Sequence, residues 1–344
     1  MKTADKLDII APSANIDAFA DGENSLIVSF GKKEMIRFGR ICAGGFQETL
    51  SLPEKLRRHS AHDALSAELE SVNVIPFGCE YHVRRVWTIY DGIAMLNCDI
   101  AADNGGRINT LELEPVIFPF TPEKIQFAVY GDAAMREVDT PSDGTLYCGK
   151  EPVIMLRAGD SEGNRVEFYA GDDFWRHRAA AHIAGADAEY TLVLDENGLS
   201  LRRKVLMIPD DITAEKRPWR FKSLIAWNKN KNVAPFDGKI LTLNGCFAGA
   251  APRRKLRDAV RKSNDDMLLC GKFPNICTNA AHLERAGDKE IEHGDLTEIA
   301  TDYLWASREL NKRGKKFAVK SENGFFGNSV ALDNLASPLL PLED

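Results

Sequence analysis

The sequence predicts an all-β fold, mainly antiparallel: a large β-sandwich with a few helices and a helical or irregular C-terminal extension. Three observations carry this. Apolar and polar residues alternate in short runs that recur from Ser25 to Leu243. Turn dipeptides punctuate the runs, among them Asp21-Gly22, Asp91-Gly92, Asp143-Gly144, Asn197-Gly198 and Asp237-Gly238. Between these runs no helical pattern is long enough to serve as a βαβ crossover, so a parallel sheet would lack its connections.

Taken in order, SLIVSF (Ser25–Phe30) reads as the first strand. Leu52–Leu69 has Pro53 placed like a first-turn proline, with Leu56, Ala64, Leu65 and Leu69 at roughly helical spacing. It reads as a helix, or as a loop with one or two turns. VNVIPF (Val72–Phe77) returns to strand. From Tyr81 to Pro119, runs parted by Asp91-Gly92 and by Asp103-Asn104-Gly105-Gly106 read as one meandering antiparallel sheet. Its alternation puts one face to a core and one to a wet surface. KIQFAVY (Lys124–Tyr130), PVIML (Pro152–Leu156), RVEFY (Arg165–Tyr169) and EYTLVL (Glu189–Leu194) continue the series. LSLRRKVL (Leu199–Leu206), FKSLIAW (Phe221–Trp227) and KILTL (Lys239–Leu243) complete it. Asn197-Gly198 marks a hairpin, because the tight hairpin turns require positive φ.

After about Gly245 the pattern changes. Ala251–Lys262 reads as a helix with Pro252 in its first turn and Leu256, Ala259 and Val260 inward. Its basic residues read as a solvated face. Leu296–Lys312 reads as a longer amphipathic helix, its buried stripe marked by Leu296, Ile299, Tyr303, Leu304 and Leu310, with Gly314 as its C-terminal cap. Ser321–Asp344 reads as an irregular arm over the body, which would cover Phe325, Phe326 and Leu335. The chain thus divides into a sandwich domain over 1–245 and an extension over 246–344.

The totals set limits. The 344 residues are 44% hydrophobic and 28% charged, ordinary for a globular protein and enough for one large core plus an extension. The net charge of −7 disfavours a phosphate-backbone partner, so no nucleic acid is expected. The N-terminal stretch is interrupted by Asp5, Asp8 and Asp17, and no apolar run approaches a membrane span. If the chain starts at its natural Met, it is expected in the cytoplasm. Seven cysteines, an odd number without a CxxC, are expected as reduced and mostly buried thiols.

At this point the residues carry a resemblance. RRVWTIYDGIAMLNCDIAADNGGRINTLELEPVIFP (Arg84–Pro119) resembles the central strands of the galactose-mutarotase-like supersandwich, and Phe174–Leu206 resembles its closing strands. The resemblance spans about residues 20–245. It implies long antiparallel strands curving around a sugar, and hence a carbohydrate-binding or carbohydrate-active protein. Mutarotases use a histidine acid and a glutamate base, and no position here matches either one by one. The alternative is a non-catalytic binding or assembly module whose sheet face packs on a partner or on its own subunits.

The alternation nominates candidates. If the even positions of Tyr81–Tyr90 share a side with the polar positions of the following runs, one sheet face displays His82, Arg84, Asn97, Asp99, Glu112, Glu114, Arg202 and Lys204. Forked donors and acceptors bind sugar hydroxyls, and aromatic faces cover C–H patches. The alternative is a solvated face with cross-strand ion pairs. GDDFWRHR (Gly171–Arg178) is the densest cluster, with Trp175 and His177 on one face if it is a strand. The proton-transfer candidates are His177, His82, Glu112 and Asp173. The substrate-binding candidates are Trp175, Arg176, Arg84 and Arg202. His59-x-x-His62-Asp63 would put two imidazoles on one helix face, where a metal is geometrically possible but a third strong ligand is missing. Cys270-x6-Cys277-x4-His282 has no established zinc spacing. GTLYCGK (Gly144–Lys150) lacks the hydroxyl and the helix of a P-loop. No cofactor or metal is expected. The expected partners are a sugar or sugar derivative and, in a homo-oligomer, further copies of the chain.

Overall fold

The computed structural model describes residues 16–20, 26–30, 33–39, 41–43, 46–47, 65–75, 79–90, 93–103, 107–129, 132, 135–139, 144–170, 187–213, 219–227, 238–243, 250–271 and 296–321. Among them run β1 (Ile16–Ala20), β2 (Leu26–Phe30), β3 (Lys33–Phe38), β4 (Cys42–Ala43), β5 (Phe46–Gln47), β6 (Leu65–Ile75), β7 (Cys79–Tyr90), β8 (Ile93–Asp103), β9 (Arg107–Phe118) and β10 (Lys124–Val129). Then come β11 (Arg136–Asp139), β12 (Gly144–Gly149), β13 (Val153–Gly159), β14 (Arg165–Ala170), β15 (Asp187–Asp195), β16 (Gly198–Thr213) and β17 (Trp219–Trp227). The last elements are β18 (Gly238–Leu243), α1 (Ala250–Lys262), β19 (Asp266–Gly271), α2 (Leu296–Asn311) and β20 (Phe317–Ser321).

Two antiparallel sheets form the sandwich. One runs β1-β2-β3-β9-β16-β15-β12, with β4 also paired to β9 and to β5; the other runs β11-β10-β13-β14-β17-β8-β7-β6. Their inner faces meet through apolar side chains. Phe38 of β3 and Phe168 of β14 are both fully buried, with ring centroids 6.3 Å apart. The mainly antiparallel sandwich read from the sequence is therefore the fold.

The runs over Tyr81–Pro119 do not form one meander. β7 and β8 pair along their whole length, but β9 lies in the other sheet, against β16, β3 and β4. Alternation gives each strand two faces; it does not name the strand's neighbours. Leu65–Leu69 is also strand, paired with β7 from Leu65↔Ile89 onward. Leu65, Ala67 and Leu69 alternate with Ser66, Glu68 and Glu70, and this period of two prevails where the wider Leu/Ala spacing suggested a helix.

The C-terminal helices stand where the sequence puts them, and Gly314 caps α2. Its φ is +69°, its N–H donates to Asn311 O, and Lys315 N–H reaches Leu310 O at 3.0 Å. Strands accompany the helices. β18, read as a late strand of the sandwich series, pairs in parallel with β19, and β19 pairs in parallel with β20. The order β18-α1-β19-α2-β20 makes this a small parallel α/β unit, with α1 and α2 as crossovers. Buried Leu256, Val260, Tyr303 and Phe317 of this unit belong to the same apolar cluster as the sandwich core. The basic face of α1 is not wholly solvated. Arg257 donates to the buried Asp302 at 2.7 Å, and Arg257 and Arg261 both lie over the Trp305 ring.

Candidate functional site

Cross-strand register builds a polar row on the face of the eight-stranded sheet away from the nine-stranded one. Gln126 of β10 pairs with Arg157 of β13, and Arg157 pairs with Glu167 of β14. Directly opposite residues share a face, so the three side chains lie side by side. Arg157 Nε donates to Glu167 Oε1 at 2.7 Å, and Arg157 Nη1 donates to Gln126 Oε1 at 2.8 Å. Tyr169, two residues on from Glu167 and so on the same face, donates its hydroxyl to Glu167 Oε2 at 2.6 Å. Glu167 and Tyr169 are fully buried and Arg157 is 8% exposed. At the outer end Glu137 of β11 accepts from Gln126 Nε2 and, at 2.9 Å, from Lys124 Nζ. Both contacts favour the ionised carboxylate and hold Glu137 below the usual carboxylate range.

The next row out is Lys124, Gly159 and Arg165. Two long cations flank a residue with no side chain, and the gap becomes a cleft of about 310 Å3. Its lining is Glu123, Lys124, Gln126, Arg157, Gly159, Asp160 and Arg165. A Cβ built on Gly159 would meet Asn164 O at 3.3 Å, so a side chain there would occupy the hollow. Asp160 closes the inner end by folding the β13–β14 loop around itself. Its Oδ1 accepts from the Glu162 and Asn164 amides at 3.0 and 2.9 Å. Its Oδ2 accepts from Asn164 Nδ2 at 3.0 Å and from Lys33. Burial opposes the charge on Asp160, but these hydrogen bonds outweigh it and hold the carboxyl below its ordinary value. The same bond raises the Lys33 ammonium above its own.

A second polar cluster lies between the sheets. Glu114 of β9 faces Arg85 of β7 at 3.6 Å and Arg203 of β16 at 3.7 Å, and all three residues are 1% exposed. Arg203 also donates to the Glu114 carbonyl at 3.0 Å and lies over the Phe168 ring. Glu114 had been expected on the wet face. A bulge in β9 turns it inward: Leu201 and Arg203 of β16 stand opposite Val116 and Leu113, two steps against three. Before the bulge Leu111 and Leu113 are buried; after it Val116 and Phe118 are. Pro115 sits at the change of phase, where it has no N–H to give to the ladder. It packs so closely on Gly39 that a Cβ there would lie 2.6 Å from Pro115 Cγ.

The expected continuous polar face is therefore divided between two sheets. Arg84 is exposed on β7, in register with Asp99 of β8. His82 occupies β7 opposite Ala101 and Val72, with its side chain outside the described residues. Glu112 and Arg202 lie on the outer face of the nine-stranded sheet, bonded to each other at 2.9 Å. Beside them Lys204 pairs with Glu189 at 3.4 Å. The structure brings Glu112 and Arg202 together and does not bring either to Arg84. His177, Asp173, Trp175 and Arg176 lie outside the described residues, as do His59, His62 and Cys277. Sequence reasoning missed Arg157, Glu167 and Tyr169. The available signal was a charged residue inside each of two apolar runs, Arg157 after VIML and Glu167 within RVEFY.

No family model and no curated protein matches the chain. Solved structures similar to it include a protein described as an aldose 1-epimerase from Escherichia coli K12, 9% identical with a TM-score of 0.39, covering 63% of this chain and 97% of that one. A galactose mutarotase-like protein from Clostridium acetobutylicum is 7% identical, with a TM-score of 0.31, covering 54% of this chain and 68% of that one. A glycoside hydrolase family 97 enzyme from Pseudoalteromonas sp. strain K8, solved with acarbose, is 10% identical with a TM-score of 0.37. That match covers 87% of this chain and 56% of the enzyme. These likenesses concern the fold alone, and no residue role passes from them to this sequence.

Proposed function

We propose that this protein binds a sugar or sugar derivative in the cleft over Gly159. The observation that carries the reading is the cleft itself. Its roughly 310 Å3 falls within the span of about 300–1,000 Å3 typical of small-ligand sites. Its walls are side-chain amide, guanidinium, ammonium and carboxylate groups instead of the usual apolar lining. Such walls suit a ligand that presents many hydroxyls and little apolar surface. The floor is rigid, because Arg157 is fixed by Gln126 on one side and Glu167 on the other.

The finer reading is acid–base chemistry of epimerase, lyase or hydrolase type, with His177, His82 and Asp173 as proton-transfer groups; Glu112, bonded to Arg202 on the outer face of the other sheet, takes no part in chemistry on a ligand in this cleft. A thermal-shift panel of monosaccharides, uronates and sugar phosphates tests the binding step. A ligand at about 100 times its Kd stabilises by about 2.7 kcal/mol, a readily measured rise in Tm. The rise should be lost in Gly159→Val, which fills the cleft. A panel with no shift refutes the sugar reading. Turnover that survives His177→Gln and Asp173→Asn refutes the catalytic assignments while leaving binding intact.

A further inference from the structure

In the cleft over Gly159 most of the described carboxylate oxygens are engaged inside the protein, while one buried guanidinium N–H group is left over. Both oxygens of Asp160 are taken up by Lys33, Asn164 and the loop amides. Glu137 gives one oxygen to Gln126 and the other to Lys124. Glu167 gives one to Arg157 and the other to Tyr169. Glu123 remains, exposed at the rim. On the donor side, a guanidinium carries five N–H groups and an ammonium three. Arg157 spends Nε on Glu167 and Nη1 on Gln126, while its buried Nη2 has no hydrogen-bond partner among the described residues. The charge of Arg157 is met by Glu167, so what it offers a ligand is this one buried N–H, which is costly to leave unmatched. Lys124, also bonded to Glu137 at 2.9 Å, and Arg165, 3.8 Å from Glu167, stand in the same walls.

We propose that the cleft receives the anionic group of a sugar derivative, the carboxylate of a uronate or the phosphate of a phosphate ester. The inference rests on the sugar reading above and adds a charge to it. Carboxylate and phosphate oxygens accept only, and they match both the planar fork of arginine and the point charge of lysine. A neutral hydroxyl must also donate, and among the described carboxylates of the cleft Glu167, Asp160 and Glu137 are already engaged, which leaves Glu123 at the rim.

Calorimetric titration of the full chain with glucuronate, glucose 6-phosphate, glucose and inorganic phosphate tests this at low and at high salt. Glucuronate or glucose 6-phosphate should bind at least about tenfold more tightly than glucose, with an affinity that falls as salt rises. Whichever acidic sugar binds identifies the group. Arg157→Gln would strip buried Glu167 of its guanidinium and endanger folding, so the surface double variant Lys124→Gln/Arg165→Gln carries the test. It should fold, weaken the acidic sugar by about tenfold or more and flatten the salt dependence. Equal affinity for glucose and the acidic sugars, unmoved by the double variant, overturns the anionic inference and leaves the sugar reading standing. Binding of inorganic phosphate with no response to any sugar overturns the sugar in both readings. Silence from all four overturns both readings outright.

Discussion

Glu114 and Asp160 show how single carboxylates are placed to hold neighbours rather than to meet solvent. Glu114 is the one described acid beside two buried guanidinium groups between the sheets. Removing one partner from a buried charged cluster costs about 3–5 kcal/mol, because the remaining charges lose the compensation for their desolvation. Glu114→Gln should lower the urea midpoint by that order. The triple replacement Arg85→Met/Glu114→Leu/Arg203→Met should recover much of the loss, since apolar side chains of similar volume carry no desolvation cost. Asp160→Asn keeps the shape of the loop but drops the charge that Lys33 meets, and should cost about 1–2 kcal/mol near neutral pH. The sign of its pH dependence follows from the lowered carboxyl. The stabilisation is complete above the unfolded value of about 4 and is lost as pH falls through the lower folded value. Denaturation at pH 7 and at pH 2–3 should therefore show the variant's deficit shrinking in acid.

At the scale of elements, the hairpin between β15 and β16 carries the sharpest backbone demand. Asp195 pairs with Gly198 across the turn, and Asp195 Oδ1 accepts from Asn197 N–H at 2.7 Å. Gly198 has φ +108°, and a Cβ there would come within 2.1 Å of Phe118 O. Gly198→Ala therefore meets both strain and a clash with the end of β9. A loss of at least about 1–3 kcal/mol is expected in chemical denaturation. A neutral outcome would show that the β9–β16 contact yields readily. The bulge at Pro115 acts on the other half of the same strand pair. It moves a charged residue from one face of β9 to the other without any change in the residues on either side.

For the whole molecule, one apolar cluster links both sheets of the sandwich to the parallel α/β unit. α2 approaches β17, and its Tyr303 is 1% exposed and packs against Phe317. Shared burial of this kind couples the units, so they should unfold together. Tryptophan fluorescence and far-UV circular dichroism should then give coincident urea transitions, and Tyr303→Ala should shift both. Two separated transitions would show that the unit is an independent foldon.

The sequence by itself determined most of the long strands of the sandwich, though not Leu65–Leu69, β19 or β20, and it determined the hairpin between β15 and β16, both C-terminal helices and the cap at Gly314. These follow from local causes: a period of two or of 3.6, positive-φ glycines and first-turn prolines. Pairing partners were decided only by the tertiary structure. Which sheet receives β9, whether β18 closes the sandwich or opens a parallel unit, and which face Glu114 takes after Pro115 all depend on contacts between residues distant in the chain. The cleft has the same origin. Lys124, Gly159 and Arg165 come from three strands, and only their register sets a missing side chain between two cations. Local periodicity assigns a residue to a face; register and bulges, fixed by the packing of the whole core, decide what stands beside it.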